Sequence, residues 1–143
     1  MHGQRLMAVA AGLALAAGAC SGGAQAPPST VNVDLSEFKV HLDSATAAPG
    51  EVAFSVHNGG TIVHEFVVLK TDLATNKLPL ADDGTVEEEG SAEIEFLDEV
   101  EDLAVGDTAT LKVDLAPGRY LLVCNLPDHF KGGMVAAVTV PSD

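Results

Sequence analysis

Tryptophan is absent from this 143-residue chain, tyrosine occurs once and phenylalanine five times. A core must therefore be assembled mainly from Val, Leu and Ile. Lys and Arg together number seven against 21 Asp and Glu, a formal net charge of −14. That shortage of cations argues against nucleic acid as a partner, because such binding depends on neutralising phosphates with Lys and Arg. The acidity has two other readings: it keeps an exported domain soluble, or it speeds encounter with a basic partner. Cysteine occurs twice, at Cys20 and Cys124, with no Cys-x-x-Cys-His run, so haem attachment is unsupported. The N-terminal apolar run, Leu6 to Ala19, has 14 residues. That suits a signal peptide and is too short to span a bilayer comfortably.

What is present begins with that run, preceded by Arg5. Leu15-Ala16-Ala17-Gly18-Ala19-Cys20 resembles a bacterial lipoprotein box, although Ala17 stands where Leu is usual. The resemblance implies removal of residues 1–19 and lipidation of Cys20, which anchors a protein by acyl chains instead of a helix. Cleavage at an Ala-x-Ala-like site, giving a soluble secreted or periplasmic protein, is the other reading. Either removes Arg5 and no acid, leaving six basic side chains against 21 acidic ones. Residues 20–30, rich in Gly, Ala, Ser and Pro, form a flexible linker with nothing to bury. The remaining domain is residues 31–143.

From Val31 the hydrophobic period becomes two. Val31, Val33 and Leu35 alternate with polar residues, Phe38, Val40 and Leu42 continue, and Val52, Phe54 and Val56 follow a Pro49-Gly50 turn. Ile62 to Leu69 is apolar apart from His64 and Glu65, as a strand buried on both faces would be. Thr108 to Leu115, Arg119 to Cys124 and Met134 to Val140 supply three more strands, the first two separated by Ala116-Pro117-Gly118. About seven short strands with turns between them predict an all-β, antiparallel β-sandwich.

Residues 71–107 interrupt this pattern before the last three strands. Asp82 to Asp102 holds 11 acids and no Lys or Arg. Ile94, Phe96, Leu97, Val100 and Leu103 fit a short amphipathic helix or an irregular edge. Like charges oppose compaction, so the insert reads as a surface excursion or as a docking face for a basic protein.

The chemistry concentrates in Cys124-Asn125-Leu126-Pro127-Asp128-His129-Phe130-Lys131-Gly132-Gly133-Met134. Taken singly, a buried thiol, a surface His and a core Met are ordinary. Together they offer thiolate, imidazole and thioether within one loop, the donor set of a trigonal copper site with a weak axial sulfur. Gly132 and Gly133 permit a return of the chain that other residues resist. Such a site needs a second imidazole from elsewhere. His2 leaves with the signal, and His41 and His57 sit in alternating strands where exposure is the default. His64, opening a buried strand after Asn58-Gly59-Gly60, is the candidate, with a purely structural His as its alternative.

Cys-x4-His-x4-Met with an upstream Gly-x-x-x-His resembles a type 1 (blue) copper cupredoxin, closest in loop spacing to auracyanin, rusticyanin and sulfocyanin. That resemblance spans about residues 31–140 and implies a Greek-key sandwich holding one copper ion. By it, His64, Cys124 and His129 are equatorial ligands, Met134 is axial, and Tyr120 matches a structural Tyr. Glu65 replaces an Asn that commonly ties the two ligand loops together, so the contacts around the ligands must differ here. The resemblance also implies electron exit at the His129 edge, with Leu126 and Phe130 as partner contacts. The expected partner is a redox protein, such as a basic cytochrome or an oxidase, approached by a membrane-tethered monomer.

The rival is a copper-delivery lipoprotein, for which exchangeable Met- and His-rich ligands would be expected; this chain has three Met and no Met cluster. An enzyme of the multicopper type needs further His ligands, usually in a His-Cys-His run, and Cys124 lies between Val123 and Asn125.

Overall fold

The structure is a computed structural model and describes residue 27 and residues 29–142. The expected signal segment 1–19, Cys20 and most of the expected linker 20–30 lie outside the described residues. Eight strands follow in order: β1 Thr30–Ser36, β2 Lys39–Leu42, β3 Gly50–Asn58, β4 His64–Lys70, β5 Glu95–Leu103, β6 Thr108–Leu115, β7 Gly118–Val123 and β8 Val135–Val140. They form two four-stranded sheets, ordered β2-β1-β3-β6 and β5-β4-β7-β8. The predicted sandwich is therefore what the chain forms.

Alternation explains the first sheet. Val31, Val33, Leu35, Val52, Phe54 and Val56 turn inward, where Phe54 meets Phe66 of the second sheet at a ring separation of 5.5 Å. One pairing departs from the antiparallel expectation: β1 runs parallel to β3, Thr30 opposite Ala53 through Leu35 opposite Asn58. The cause is topological, since β2 turns back as a hairpin on the outer edge and β3 returns on the other side of β1.

Strands β4 and β7 are apolar on both faces, and both faces are covered. Phe66, Val68, Tyr120 and Leu122 belong to the core between the sheets. Val67, Leu69, Leu121 and Val123 face outward into a second core, closed by Leu78, Val86, Ile94 and Phe130. The acidic insert thus contributes buried apolar residues over the second sheet as well as exposed acids. Its last part is β5, an edge strand whose register against β4 shifts twice. Of the two expected forms, the irregular edge is the one adopted. A helix there would have left the main-chain groups of β4 unpaired on that side.

Candidate metal centre

The central elements of the second sheet deliver the donors to one end of the sandwich. His64 is the first residue of β4, and Cys124 immediately follows β7. Because β4 and β7 are paired antiparallel, Val67 opposite Val123, the start of one meets the end of the other. The loop after Cys124 is closed by main-chain hydrogen bonds: His129 N–H to Leu126 O at 3.0 Å, Met134 N–H to His129 O at 3.1 Å, and Cys124 N–H to Met134 O at 3.1 Å. Gly133 takes φ +118°, which favours glycine, and a Cβ on Gly132 would collide with the Phe38 ring. The two glycines meet two different demands, one of conformation and one of close approach.

Three side chains converge as a result. The Nδ1 atoms of His64 and His129 lie 3.3 Å apart, and Cys124 Sγ is 3.3 Å from the His129 nitrogen and 3.9 Å from that of His64. Among the described residues they are the one group of three or more His, Cys, Asp or Glu side chains whose ligand atoms come within 4.8 Å of one another. His64, Cys124 and Met134 are fully buried, and His129 is half-buried. His41 and His57 stand on the outward face of the first sheet, on positions alternate to its buried residues.

Burial sets the protonation of the donors. It lowers the His64 pKa, with the neighbouring His129 acting in the same direction, and so favours the neutral imidazole that a metal requires. It raises the Cys124 pKa, opposed by the main-chain N–H groups of Glu65 and Leu126. The Glu65 N–H points at Sγ from 3.3 Å. The thiol is thus poised to lose its proton to a bound cation and to little else, since metal coordination deprotonates a thiol outright.

The contacts around the donors are not those of the Asn-containing pattern. Glu65 touches Cys124 through its main chain. Asn125 ties the ligand loop to the acidic insert: its side chain accepts from Val86 N–H at 2.6 Å and donates to Val86 O at 3.0 Å and Glu88 Oε1 at 2.5 Å. Asp128 N–H adds a bond to Asp83 O at 3.0 Å. Asn58 plays a matching part below His64, donating to Ile62 O and Leu103 O and accepting from Gly60 N–H. Tyr120, buried, donates its hydroxyl to Ala116 O at 2.7 Å.

One expected site residue moves elsewhere. Phe130 is 7% exposed and packs in the second core, so it does not present a partner surface. The apolar outer face of β4 and β7 needs a cover, and Phe130 supplies part of it. The exposed aromatic beside His129 is Phe38, 57% exposed, its ring 6.3 Å from the imidazole in an edge-on arrangement. Sequence periodicity misplaces Phe38 among inward residues. It is the second residue of the two-residue turn between β1 and β2, at φ +62°. Leu126 remains half-buried against the main core.

The donor set fits copper: two imidazoles and one thiolate precursor brought together at one end of the sandwich, with the thioether-bearing Met134 held at the end of the same loop. Comparison with known proteins agrees. The sequence profile described as "copper binding proteins, plastocyanin/azurin family" matches residues 28–141. No curated protein matches. Among solved structures, dithionite-reduced auracyanin from Roseiflexus castenholzii is similar with a TM-score of 0.61 and 21% identity, covering 81% of this chain and 99% of that one. Auracyanin B follows at 0.55 and 19%, covering 83% and 93%. A multicopper oxidase from Campylobacter jejuni aligns at 0.54 and 13%, covering 83% of this chain but 31% of that one. Profile, sandwich and converging His-Cys-His donors agree: the chain belongs to the plastocyanin/azurin family of copper-binding proteins, with one type 1 copper site.

Proposed function

We propose that this protein is a one-electron carrier that works outside the cytoplasm, tethered to a membrane through Cys20. The observation that carries the reading is the convergence of buried His64 and Cys124 with half-buried His129 at one end of the sandwich. Copper bound there would supply the one-electron chemistry by alternating between Cu(II) and Cu(I). In this reading His64, Cys124 and His129 would hold the ion, with the Met134 thioether as a further, weak donor.

The chain's own part is to keep that geometry nearly the same in both oxidation states. Cys124 and His64 sit at the ends of paired strands, and the loop between them and Met134 is closed by the hydrogen bonds described above. Little rearrangement is then needed when an electron arrives or leaves. Water is kept from the sulfur by full burial of Cys124 and Met134. His129 is the half-exposed ligand, so electrons cross at its edge, with Phe38 and Leu126 forming the apolar contact around it. The residue set calls for no substrate site and no acid–base pair, so the reading is non-enzymatic.

The partner is a redox protein with a basic face, a cytochrome or an oxidase. Support comes from the net charge and from the acids of the insert, most of them exposed on and before β5. Residues 1–19 act as the signal and residues 20–30 as the tether of a monomeric carrier.

Adding Cu(II) to the purified chain tests the reading. Intense blue thiolate-to-copper absorption and a reversible one-electron wave are expected. A colourless protein, or colour that survives Cys124→Ser, would sink it. Ready release of Cu(I) to an acceptor protein, without reversible electrochemistry, would favour copper delivery instead.

A further inference from the structure

The imidazole of His64 carries a second nitrogen that the site described above leaves unused. His64 Nε2 is buried and, among the described residues, is the one buried side-chain N or O without a hydrogen-bond partner. With Nδ1 directed at Cys124 and His129, the ring proton belongs on Nε2. A buried N–H left unpaired is costly.

One carboxylate faces it. Glu37 Oε1 lies 3.7 Å from His64 Nε2, a few tenths of an ångström beyond hydrogen-bond length. Glu37 belongs to the β1–β2 turn and is far from His64 in sequence, yet it does not wander. The same Oε1 accepts from Thr61 N–H at 2.6 Å, Thr61 Oγ1 at 3.1 Å and Ile62 N–H at 3.2 Å. These three donors fix the oxygen in place beside the imidazole. Gly60 leaves the gap between the two groups open. A Cβ there would sit 2.7 Å from Glu37 Oε1 and 2.9 Å from His64 Nε2.

The next residue of the same turn reaches the other histidine. Phe38 sets its ring edge-on to His129 and lies close against Gly132. Holding Phe38 at φ +62° costs about 1–2 kcal/mol relative to ordinary backbone. A turn that needed only to reverse the chain would take Gly or Asn there.

We propose that Glu37 is a positioning residue of the copper centre, accepting the Nε2–H of His64, and that the Glu37-Phe38 turn braces both histidine ligands from outside the ligand loop. The proposal rests on the copper reading for its purpose but not for its geometry. A carboxylate behind a ligand imidazole fixes the ring and its tautomer and raises its basicity. Its negative charge beside the site favours the more highly charged, oxidised ion.

The test uses the full chain, first without copper. NMR of the imidazole groups should show a His64 Nε2–H protected from solvent exchange. Glu37→Ala should speed that exchange about tenfold, the loss of one net hydrogen bond. Glu37→Gln keeps an oxygen acceptor and should retain most of the protection, whereas Gly60→Ala, which pushes the carboxylate aside, should lose it. With copper added, Glu37→Ala should weaken binding by about 10–100-fold and Glu37→Gln by less. Both Glu37 variants should have a reduction potential above that of wild type. Equal exchange in wild type and Glu37→Ala would overturn the proposal, as would an unchanged potential in both variants. A chain that never turned blue would sink the copper reading alone, and the exchange of the His64 proton would still decide this one.

Discussion

Asn125 and Val86 exchange two hydrogen bonds, Val86 N–H to the Asn125 amide oxygen at 2.6 Å and the Asn125 amide to Val86 O at 3.0 Å. A side chain next to the ligand Cys124 thereby pairs with the insert as if it were another strand. The acidic insert is part of the copper end of the molecule, in addition to being a charged surface.

The first prediction follows from that pairing. Asn125→Ala strips Val86 of both partners in a half-buried setting. Leaving such groups unpaired costs about 1–3 kcal/mol. Urea unfolding of the copper-free protein should show that loss. Asn125→Asp keeps the acceptor for Val86 N–H but sets a charge beside Glu88, and should be destabilised too. Stability equal to wild type in both variants would mean that the insert is held by Leu78, Val86 and Ile94 alone.

Two phenylalanines of the site end give opposite expectations. Phe130→Ala empties a position in the second core and should cost about 3–5 kcal/mol in thermal or denaturant unfolding. Phe38→Ala removes an exposed ring and should change stability by about 1 kcal/mol or less. Electron exchange should behave in reverse. Phe38→Glu should slow transfer to a redox partner while leaving the blue absorption in place. If Phe130→Glu, once folded, slowed transfer more than Phe38→Glu did, the contact surface assigned to Phe38 would be wrong.

That reversal shows where sequence reading stops. Strands such as Val31–Leu35 and Val52–Val56 are legible because burial on one face writes a period of two directly into the chain. Cys124, His129 and Met134 are legible because one short loop carries them. His64 emerges by elimination and from its place at the head of an apolar strand. What stays hidden depends on distant segments. Phe38 shares the phase of Val40 and Leu42, and only the turn at φ +62° throws it outward. Leu78, Val86 and Ile94 are scattered among acids, so their joint burial over β4 and β7 leaves no periodic trace. Glu37 meets His64 across the sandwich end, and no local pattern links them. The parallel pairing of β1 with β3 is likewise a matter of chain path, which side-chain alternation does not encode.

The carboxylates near the site predict how stability varies with pH. Burial, followed by the charges of Glu99 and Glu88, pushes Glu65 up to about 7 from an ordinary 4.5, and burial raises Glu88 as well. A carboxyl whose pKa is higher in the folded state binds its proton more tightly there than when unfolded. Folding is therefore favoured by protonation, and stability falls as pH rises from about 4.5 to about 7. The lowered His64 pKa acts in the opposite sense, so the Glu65 part is read as the difference in slope between wild type and a Glu65 variant of the copper-free chain. Glu65→Gln should make the slope less negative; a variant with the wild-type slope would shift the cause to other acids.

Met134 offers the cleanest separation of packing from electronics. It is fully buried in the main core, and its main-chain O and N–H close the ligand loop against Cys124 and His129. Met134→Leu keeps the volume and both main-chain bonds, so the copper-free protein should lose less than about 1.5 kcal/mol. The thioether, however, is gone. If Met134 is the weak axial donor, the trigonal set of His64, Cys124 and His129 survives and the protein stays blue. Loss of a donor destabilises the oxidised ion more than the reduced one, so the reduction potential should rise. Voltammetry of wild type and variant side by side decides the matter. An unchanged potential with intact colour would show that Met134 only packs, and a bleached protein with normal copper-free stability would show that it is needed to form the site.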